Sequence, residues 1–331
     1  MKYGLALLLL LNCCIVGAQK MFDYEREINN KERYSFQELE FSNVQEDIKL
    51  SGTLITPKAP FNKVVIIIPG SGKDTRYAHF VLAEAFLNDN IAVYRFDERG
   101  VGRSTGSFNP SASSLTADVS YAVEALRNVE VLKSCTLGLV GHSLGGMAAI
   151  AAHDSGTGVD FLIQLAAPVE KHGAFFKYQT KNNLMDFYRI KGKSQEEVVQ
   201  LLDLLYPIII NNNDYGIIRN KGKMAARENG FKSEFYKFLS PTHIDHVKQN
   251  YEHAYESTRI PILYLIGSND LYVDPVTETS LLKSFDNPLI SVTVFDGLNH
   301  YLTLQNAPSG TSLYQVDSQV LETILKWTKH L

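Results

Sequence analysis

The feature that most constrains this chain is residues 137–150, which read LGLVGHSLGGMAAI. A short apolar run ends at Gly141-His142-Ser143-Leu144-Gly145, and a helical pattern of small residues follows. This order predicts a strand, a sharp turn and a helix, in which Ser143 occupies a strained turn of the G-x-S-x-G type. The flanking glycines would let the strand and helix backbones approach closely. The turn would place the Ser143 hydroxyl above the sheet, beside helix N-terminal amides that can receive an oxyanion; an ordinary structural serine is the alternative.

Apolar runs alternate with helical patterns on both sides of this turn. We expect buried strands at residues 64–68, 91–96, 137–140, 161–165, 262–266 and 289–295, and helices at residues 78–87, 115–129 and 316–327. We expect Asp118, Glu124 and Arg127 on the polar side of the second helix. Two alternating runs at residues 36–41 and 48–55 predict an antiparallel hairpin at a sheet edge. The sequence therefore predicts an α/β fold with a mostly parallel sheet and helices on both faces.

The chain length and the change of pattern after Pro168 predict the domain organisation. With 331 residues and 45% hydrophobic content, the chain can form one large α/β domain with an insertion, or two modest domains. Residues 173–255 are helical, charged and aromatic, so we expect a helical cap inserted into a core of residues 35–172 and 256–331. Residues 19–34 are charged and irregular, and we expect a loosely ordered lead-in.

The N-terminal residues predict a targeting segment. Residues 1–18 contain Lys2, an apolar run and the small residues before Gln19, a pattern typical of a secretory signal peptide cleaved after Ala18. We therefore expect export to the periplasm or the exterior, with lipidation of Cys13 as the rival interpretation. The apolar run is too short for a stable membrane anchor. Cleavage would leave Cys135 alone, so we expect no intrachain disulfide and a buried, hydrophobic role for that thiol.

Charge and histidine spacing bear on partners and cofactors. The formal net charge is −4 and the sequence pI is about 6.2, so the chain has no basic surface that would predict nucleic-acid binding. His243 and His246 have the i, i+3 spacing of a metal-binding pair, but no third ligand is required by the pattern. We expect a solvated helix at these histidines, and no metal or cofactor.

Two further polar residues follow predicted strands in the order that a serine hydrolase requires. Asp270 comes just after residues 262–266, and His300 comes just after residues 289–295. Because the carboxyl ends of parallel strands meet at one edge, Ser143, Asp270 and His300 are expected to converge there. A serine hydroxyl needs a base, and the base needs an orienting acid. Asp296 is a second candidate for the acid, and Asp274 is expected to begin a helix.

Two loops complete the predicted site. The amide of Leu144 and the amide of Ser71, in the sequence Pro69-Gly70-Ser71-Gly72, are the expected oxyanion donors. A simple glycine-rich turn is the alternative. The loop at residues 96–104 follows another strand, and we expect Asp97 or Arg99 to brace neighbouring loops. A catalytic role for Glu98 or Arg99 is the alternative.

The motifs together resemble those of the α/β-hydrolase superfamily. They are PGSG (69–72), FDERGVGRSTG (96–106), GHSLGG (141–146), GSND (267–270) and GLNH (297–300), and the resemblance covers about residues 35–331. The chain is similar to bacterial esterases and serine-aminopeptidase-like hydrolases that carry PGSG. The resemblance implies hydrolysis of carboxyl esters through an acyl-enzyme without a cofactor. It implies that Ser143 is the nucleophile, Asp270 the acid, His300 the base, and Ser71 and Leu144 the oxyanion donors. Residues 73–76 (KDTR) depart from the family pattern, which leaves the substrate contacts of this loop open.

Two other functions fit the same sequence. A serine aminopeptidase or amidase would use the same triad and would need an acidic cap residue to hold a free amine. The cap offers Asp186, Glu196, Glu197, Asp203 and Glu228. The other possibility is a non-catalytic binding protein on a hydrolase scaffold. The expected partner is a small-molecule ester or a short peptide, and the sequence does not predict an oligomeric state.

Overall fold

The computed structural model describes residues 22–184, 188–304 and 313–331. The predicted signal peptide, with Cys13, and the cap residue Asp186 lie outside the described residues. Within them the strands are β1 (Tyr34–Asn43), β2 (Ile48–Pro57), β3 (Lys63–Ile68), β4 (Ala92–Phe96), β5 (Thr136–His142), β6 (Phe161–Leu165), β7 (Ile262–Gly267) and β8 (Ile290–Phe295).

The α-helices alternate with these strands, except for a group that lies between β6 and β7. They are α1 (Phe80–Asn88), α2 (Ala112–Arg127), α3 (Leu144–Asp154), α4 (Ala174–Lys181), α5 (Gln195–Ile210), α6 (Tyr215–Glu228), α7 (Pro241–Lys248), α8 (Glu252–Ser257), α9 (Pro275–Ser284) and α10 (Ser318–Thr328). Short 3₁₀ turns occur at Lys31–Arg33, Glu130–Leu132 and Glu234–Leu239.

The strands form one sheet in the order β1-β2-β4-β3-β5-β6-β7-β8. The predicted hairpin is confirmed, since β1 and β2 are antiparallel and β1 lies at the edge. From β4 to β8 neighbouring strands are parallel. The predicted α/β architecture is therefore confirmed, and the carboxyl ends of β3, β5, β7 and β8 share one edge of the sheet.

The apolar runs of the central strands are buried on both faces. In β3, the side chains of Val64, Ile66 and Ile68 enter one hydrophobic cluster, while Val65 and Ile67 enter a cluster on the opposite face. All five side chains are at most 3% exposed. Alternate side chains of a strand point to opposite faces, so a continuous apolar run is what a sheet covered by helices on both sides requires.

Two expectations about surface residues are wrong. Asp118 is not on a solvated helix face: it is buried, and both of its carboxylate oxygens accept hydrogen bonds from the Arg99 guanidinium at 2.8 Å. The lead-in is not loosely ordered over its described residues, because Glu25 and Ile28 are buried against the core. In both cases the residue is buried by a part of the chain that lies far away in sequence. The neighbouring residues in sequence alone would predict that it is exposed to water.

The helices between β6 and β7 correspond to the predicted cap. Their buried apolar side chains, such as Leu201, Leu205, Phe235 and Phe238, join the cluster that covers one face of the sheet. The exact domain boundaries stay a prediction. Over the described ranges, the structure has no helix with the length and apolar character needed to cross a membrane.

Candidate active site

The turn between β5 and α3 has the strained geometry that its sequence predicts. Ser143 lies between the two elements with φ 54° and ψ −116°, a backbone conformation that is costly for a residue with a side chain. A Cβ atom at Gly141 would lie 2.3 Å from the Gly145 carbonyl oxygen, and one at Gly145 would lie 2.3 Å from the Pro69 carbonyl oxygen. Both positions therefore require glycine, because strand, helix and the β3 loop pack backbone to backbone around Ser143.

Asp270 and His300 meet as predicted. Asp270 follows β7 and is 1% exposed, and its Oδ1 accepts hydrogen bonds from the Tyr272 and Val273 amides at 2.7 and 2.9 Å. Its Oδ2 lies 2.8 Å from the His300 Nδ1. A carboxylate oxygen accepts, so the Nδ1 atom carries the proton and the Nε2 atom keeps its lone pair. This is the tautomer that a general base acting on a serine hydroxyl needs.

The other two candidate aspartates have different partners. Asp296 accepts a hydrogen bond from the Ser268 hydroxyl at 3.0 Å and is exposed. Asp274 caps α9 through its own side chain, as the sequence predicts. The structure therefore brings Asp270, and neither Asp296 nor Asp274, to the His300 imidazole.

Ser143 and His300 line one cavity of about 500 Å³, which also reaches Ser71 and Leu144. Among the described residues, the His300 Nδ1 donates to Asp270 and the His300 carbonyl oxygen accepts from His142. No hydrogen bond there joins the His300 ring to the Ser143 hydroxyl. Catalytic hydrogen bonds are often long in unliganded sites and tighten when substrate binds. Four of the five residues that the sequence assigns to the chemistry thus line one cavity, and the fifth, Asp270, lies behind it and binds the His300 ring.

Both predicted oxyanion donors lie beside Ser143. Leu144 is the first residue of α3, a position whose N–H has no carbonyl one turn earlier to bind. A Cβ atom at Gly70 would lie 3.6 Å from the Ser143 Cβ, so the loop that carries Ser71 packs directly against the serine. Ser71 itself is exposed to the cavity. The positive end of α3 therefore lies at Ser143, and the role of the Ser71 and Leu144 amides as oxyanion donors stays a prediction.

His142 positions His300, a role that we did not predict. Its Nε2 atom lies 3.0 Å from the His300 carbonyl oxygen and donates to it, since a carbonyl only accepts. The two rings lie 4.9 Å apart. Burial, followed by the neighbouring imidazoles, lowers the pKa of His142 well below its usual value, so the ring is neutral. The residue was visible within the G-x-S-x-G motif, but only the fold shows which carbonyl it reaches.

The loop at residues 73–76 contributes a buried acid to the cavity. Asp74 is 1% exposed and lines the cavity, and its Oδ2 accepts a hydrogen bond from the Tyr314 hydroxyl at 2.8 Å. Its Oδ1 has no hydrogen-bond partner among the described residues. Glu98 is also buried and accepts a hydrogen bond from the Asp74 amide at 2.8 Å. Burial raises the pKa of Asp74 to about 7, and burial together with the Asp74 charge raises the pKa of Glu98.

The N-terminal segment holds the same loop. The buried Glu25 carboxylate accepts hydrogen bonds from the Thr75 amide at 2.6 Å and the Thr75 hydroxyl at 2.8 Å. The Tyr24 hydroxyl donates to the Lys73 carbonyl oxygen at 2.7 Å, and Tyr24 lines the cavity. Sequence reasoning missed both residues, because their partners lie about 50 positions later and no local motif marks the contact.

The loop at residues 96–104 braces its neighbours. The Arg76 guanidinium binds the Asp97 carboxylate at 2.9 Å, and both side chains are buried. Arg99 binds Glu46 and Asp118, each at 2.8 Å. Neither Glu98 nor Arg99 lines the cavity that holds Ser143, so their contacts support the bracing interpretation rather than the catalytic alternative.

The cap supplies an aromatic and imidazole wall to the cavity. Phe175, Phe176, Tyr188, His243 and His246 line it from the cap side. The expectation of a solvated helix at the two histidines is wrong, because they are 4% and 6% exposed and pack on the phenylalanine rings. Within residues 22–184, 188–304 and 313–331, no group of three or more potential ligand side chains is arranged to hold a metal ion.

The acidic cap residues considered for amine binding lie elsewhere. Glu196, Glu197, Asp203 and Glu228 are not among the residues that line this cavity. Asp203 instead pairs with Lys177, and Glu197 pairs with Lys193. The described acid that does line the cavity is Asp74, on the opposite wall.

The sheet order and the turn at Ser143 are those of the α/β-hydrolase fold, and comparisons with known proteins agree on that fold. Residues 59–214 match the family model described as serine aminopeptidase, S33. A comparison with curated proteins found no match. A solved structure of the Pyrococcus furiosus esterase Pf2001 is 18% identical, with a TM-score of 0.58, and the match covers 94% of this chain and 97% of that one.

Other solved structures show the same fold. Est1E from Butyrivibrio proteoclasticus, solved with ferulic acid bound, is 17% identical with a TM-score of 0.54, covering 86% of this chain and 96% of that one. A bromoperoxidase from Bacillus anthracis is 16% identical with a TM-score of 0.54, covering 88% and 100%. These likenesses show that the chain has the α/β-hydrolase fold, as the sequence motifs predict.

Proposed function

We propose that this protein hydrolyses carboxyl esters through an acyl-enzyme formed on Ser143. The observation that carries the proposal is the Asp270–His300 hydrogen bond of 2.8 Å at the edge of the cavity that Ser143 lines. It sets the His300 tautomer with a free Nε2 lone pair, in a cavity shared with a serine held in a strained turn before α3. Esterase names among the structural neighbours agree with the proposal, although their low identity speaks for the fold alone.

The reaction would proceed in two steps. His300 takes the proton of the Ser143 hydroxyl as its oxygen attacks the ester carbonyl, and Asp270 stabilises the imidazolium. The Leu144 and Ser71 amides receive the developing oxyanion, each contributing roughly 3 kcal/mol. The imidazolium then protonates the departing alcohol. Water, deprotonated by His300, attacks the acyl-enzyme and releases the acid.

An aminopeptidase or amidase acting through the same triad is the second candidate. The family match described as serine aminopeptidase, S33, favours it. A substrate ammonium would need a carboxylate near the scissile bond. The described cap acids lie outside the cavity, and the pKa of the cavity acid Asp74 is raised, first by burial and then by the nearby Glu25 carboxylate. These features support neutral ester substrates over substrates with a free amine.

Matched chromogenic substrates distinguish the two candidates. We expect turnover of p-nitrophenyl esters of short acids, and turnover at least about 100-fold slower for aminoacyl p-nitroanilides. Ser143→Ala should abolish turnover of both. Preferential cleavage of the anilides would favour the aminopeptidase. Inertness of the wild type toward a broad panel of esters and amides would instead favour a binding protein on a hydrolase scaffold.

Residues 1–18 are proposed to direct export and to be removed after Ala18. A small-residue cleavage site after an apolar run supports this, and lipidation at Cys13 is the alternative. Expression of the full chain in a bacterial host, followed by the intact mass of the exported product, tests the proposal. A mature protein that begins at Gln19 is expected. A product that carries lipid and loses it in Cys13→Ala would favour the alternative.

A further inference from the structure

The loop that carries Asp270 is bound by a helix of the cap. The Asp270 carboxylate accepts hydrogen bonds from the amides of Tyr272 and Val273, so the loop turns around its own side chain. That arrangement uses the amides of the turn and leaves its carbonyl groups to find donors elsewhere. Main-chain carbonyl groups away from water are ordinarily paired, and here the donors come from α4.

Three side chains from α4 and its C-terminal end supply these donors. The Tyr178 hydroxyl, the Asn182 amide and the Gln179 amide donate, in that order, to the carbonyl oxygens of residues 270, 271 and 272. The distances are 3.0, 3.0 and 3.1 Å. The helix and the loop lie about 90 positions apart in sequence. One helix of the cap therefore binds three successive carbonyl groups, from the catalytic acid to Tyr272.

The same loop contacts His300 at two points. The Asp270 Oδ2 lies 2.8 Å from the His300 Nδ1, and the Tyr272 ring stacks on the imidazole with centroids 4.8 Å apart and an interplanar angle of 29°. Both contacts depend on where the backbone of residues 270–272 lies, and this is the segment that α4 binds. A shift of this segment would lengthen the Asp270–His300 bond and turn the imidazole. A misplacement of about 1 Å in a catalytic group can cost roughly 100-fold in rate.

We propose that α4 positions the catalytic acid, with Tyr178 and Asn182 as positioning residues that act through the backbone of the Asp270 loop. The inference rests on the proposed function and adds two residues of the cap to the same reaction. The helix also carries Phe175 and Phe176, which line the cavity from the cap side. One element of the cap thus faces the substrate and sets the geometry of the acid that orients the base.

Steady-state kinetics of two variants test the proposal. Tyr178→Phe and Asn182→Ala each remove one bond to the loop, and neither residue lines the cavity. With p-nitrophenyl acetate, each should lower kcat about 3- to 10-fold, and the double variant about 10- to 100-fold. Acylation and deacylation both use His300 and slow together, so KM should stay within about twofold of wild type. A double variant with kcat within twofold of wild type would overturn the proposal.

Two matched variants elsewhere in the cap separate positioning from general stability. The Tyr215 hydroxyl donates to the Leu239 carbonyl oxygen at 3.4 Å, and the Asn229 amide donates to the Ala225 carbonyl oxygen at 2.9 Å. Asn229 ends α6 as Asn182 ends α4. Tyr215→Phe and Asn229→Ala therefore remove the same kinds of bond away from the loop, and kcat should stay within about twofold of wild type. Losses of kcat in these variants as large as in the α4 variants would mean a structural role and would overturn the proposal.

The proton on the His300 Nδ1 reports the contact with Asp270 without any substrate. Proton NMR spectroscopy of the wild type should show its low-field resonance, assigned by its loss in His300→Gln. The double α4 variant should shift or broaden this resonance, and the double variant of the matched positions should leave it in place.

The two readouts distinguish failure of the inference from failure of the proposed function. A changed resonance in the double α4 variant of a protein that turns over no ester would retain the positioning role and reject the esterase. Ester turnover by the wild type, with both kcat and the resonance unchanged in the double α4 variant, would reject the positioning role and retain the esterase. A fall in kcat with an unchanged resonance would mean that the α4 variants act elsewhere, and it would also overturn the proposal.

Discussion

The two walls of the cavity are built by different means. The core wall (residues 69–74, 142–147 and 300–301) is set by backbone: the turn at Ser143 and the amides that hold Asp270. The cap wall (residues 175–179, 188 and 240–246) is set by packed aromatic and imidazole rings. Main-chain geometry fixes atomic positions to fractions of an ångström, which is the precision that catalysis requires. Side-chain packing admits many surfaces, so we expect substrates to be distinguished at the cap wall.

The largest expected effect is a loss of kcat on substitution of Asp270, which lies behind the core wall and binds His300. Asp270→Asn should lower kcat for a p-nitrophenyl ester by about 10⁴-fold, because an amide that donates to Nδ1 favours the wrong imidazole tautomer. Asp296→Asn removes the other candidate acid, which binds Ser268 and not His300, and should change kcat less than twofold. Steady-state kinetics of the two variants test the assignment. A large loss in Asp296→Asn with a small one in Asp270→Asn would reverse it.

The buried acid of the core wall gives the next effect, on stability. The pKa of Asp74 is raised from 3.8 to about 7 in the folded protein. The unfolded chain therefore loses this proton at lower pH than the folded one, so rising pH through this interval destabilises the fold. Asp74→Asn removes that dependence and should gain stability relative to wild type between pH 5 and 8, by up to about 4 kcal/mol.

Melting temperatures of the wild type and Asp74→Asn across this pH range measure the difference. The exposed Asp23→Asn serves as the matched control and should track the wild type. Glu98 faces Asp74 and has a raised pKa of its own, so the Asn variant should also ease ionisation of Glu98. A stability difference that shrinks as the pH rises would contradict the assignment.

A smaller effect is expected where the N-terminal segment supports the core wall. Glu25→Ala leaves the buried amide and hydroxyl of Thr75 without their acceptor, and should lower the free energy of unfolding by about 1–3 kcal/mol. Because Tyr24 lines the cavity, kcat/KM for a short ester should fall as well. Denaturant unfolding and kinetics give both readouts, with the exposed Asp23→Ala as control. If Glu25→Ala lowered neither the free energy of unfolding nor kcat/KM, the N-terminal segment would have no supporting role at the site.

The smallest effect is expected at the charged surface of the cap. Asp203→Asn and Glu228→Gln replace acids that do not line the cavity. We expect the ratio of ester to aminoacyl anilide turnover to stay within about twofold of wild type. The reason is that solvent and salt screen the interaction between a charge exposed to water and a substrate in the cavity. His253→Gln, on the surface of α8, is a charge-neutral control. A large shift in this ratio would mean that the acidic cap residues contribute to substrate recognition, and it would favour the aminopeptidase.

The difference between the walls also explains what the sequence could predict. Residues 141–145 carry their turn in a recognisable motif: Gly141 is required by contact with Gly145 within the same turn, and Gly145 by the backbone of the β3 loop. Asp270 and His300 follow strands whose ends must meet in a parallel sheet. These inferences needed only short segments and the rule that carboxyl ends of strands share an edge.

The features that escaped prediction all depend on long-range packing. Glu25 is buried by a loop 50 residues away, and Asp118 is buried by Arg99. The two cap histidines look solvated in sequence because α7 is short and polar. Aromatic rings from other elements, Phe175 and Phe176 of α4 among them, cover both histidines. A burial pattern set by a distant element leaves no periodic signal in the buried segment itself.

The most direct test of the account is the site of modification by a fluorophosphonate. Mass spectrometry of the labelled wild type should place the adduct on Ser143, and Ser143→Ala should take up no label. Ser71→Ala should still be labelled, because Ser71 contributes its backbone amide and not its hydroxyl. An adduct on another residue, or labelling that survives in Ser143→Ala, would contradict the claim that Ser143 is the nucleophile of this fold.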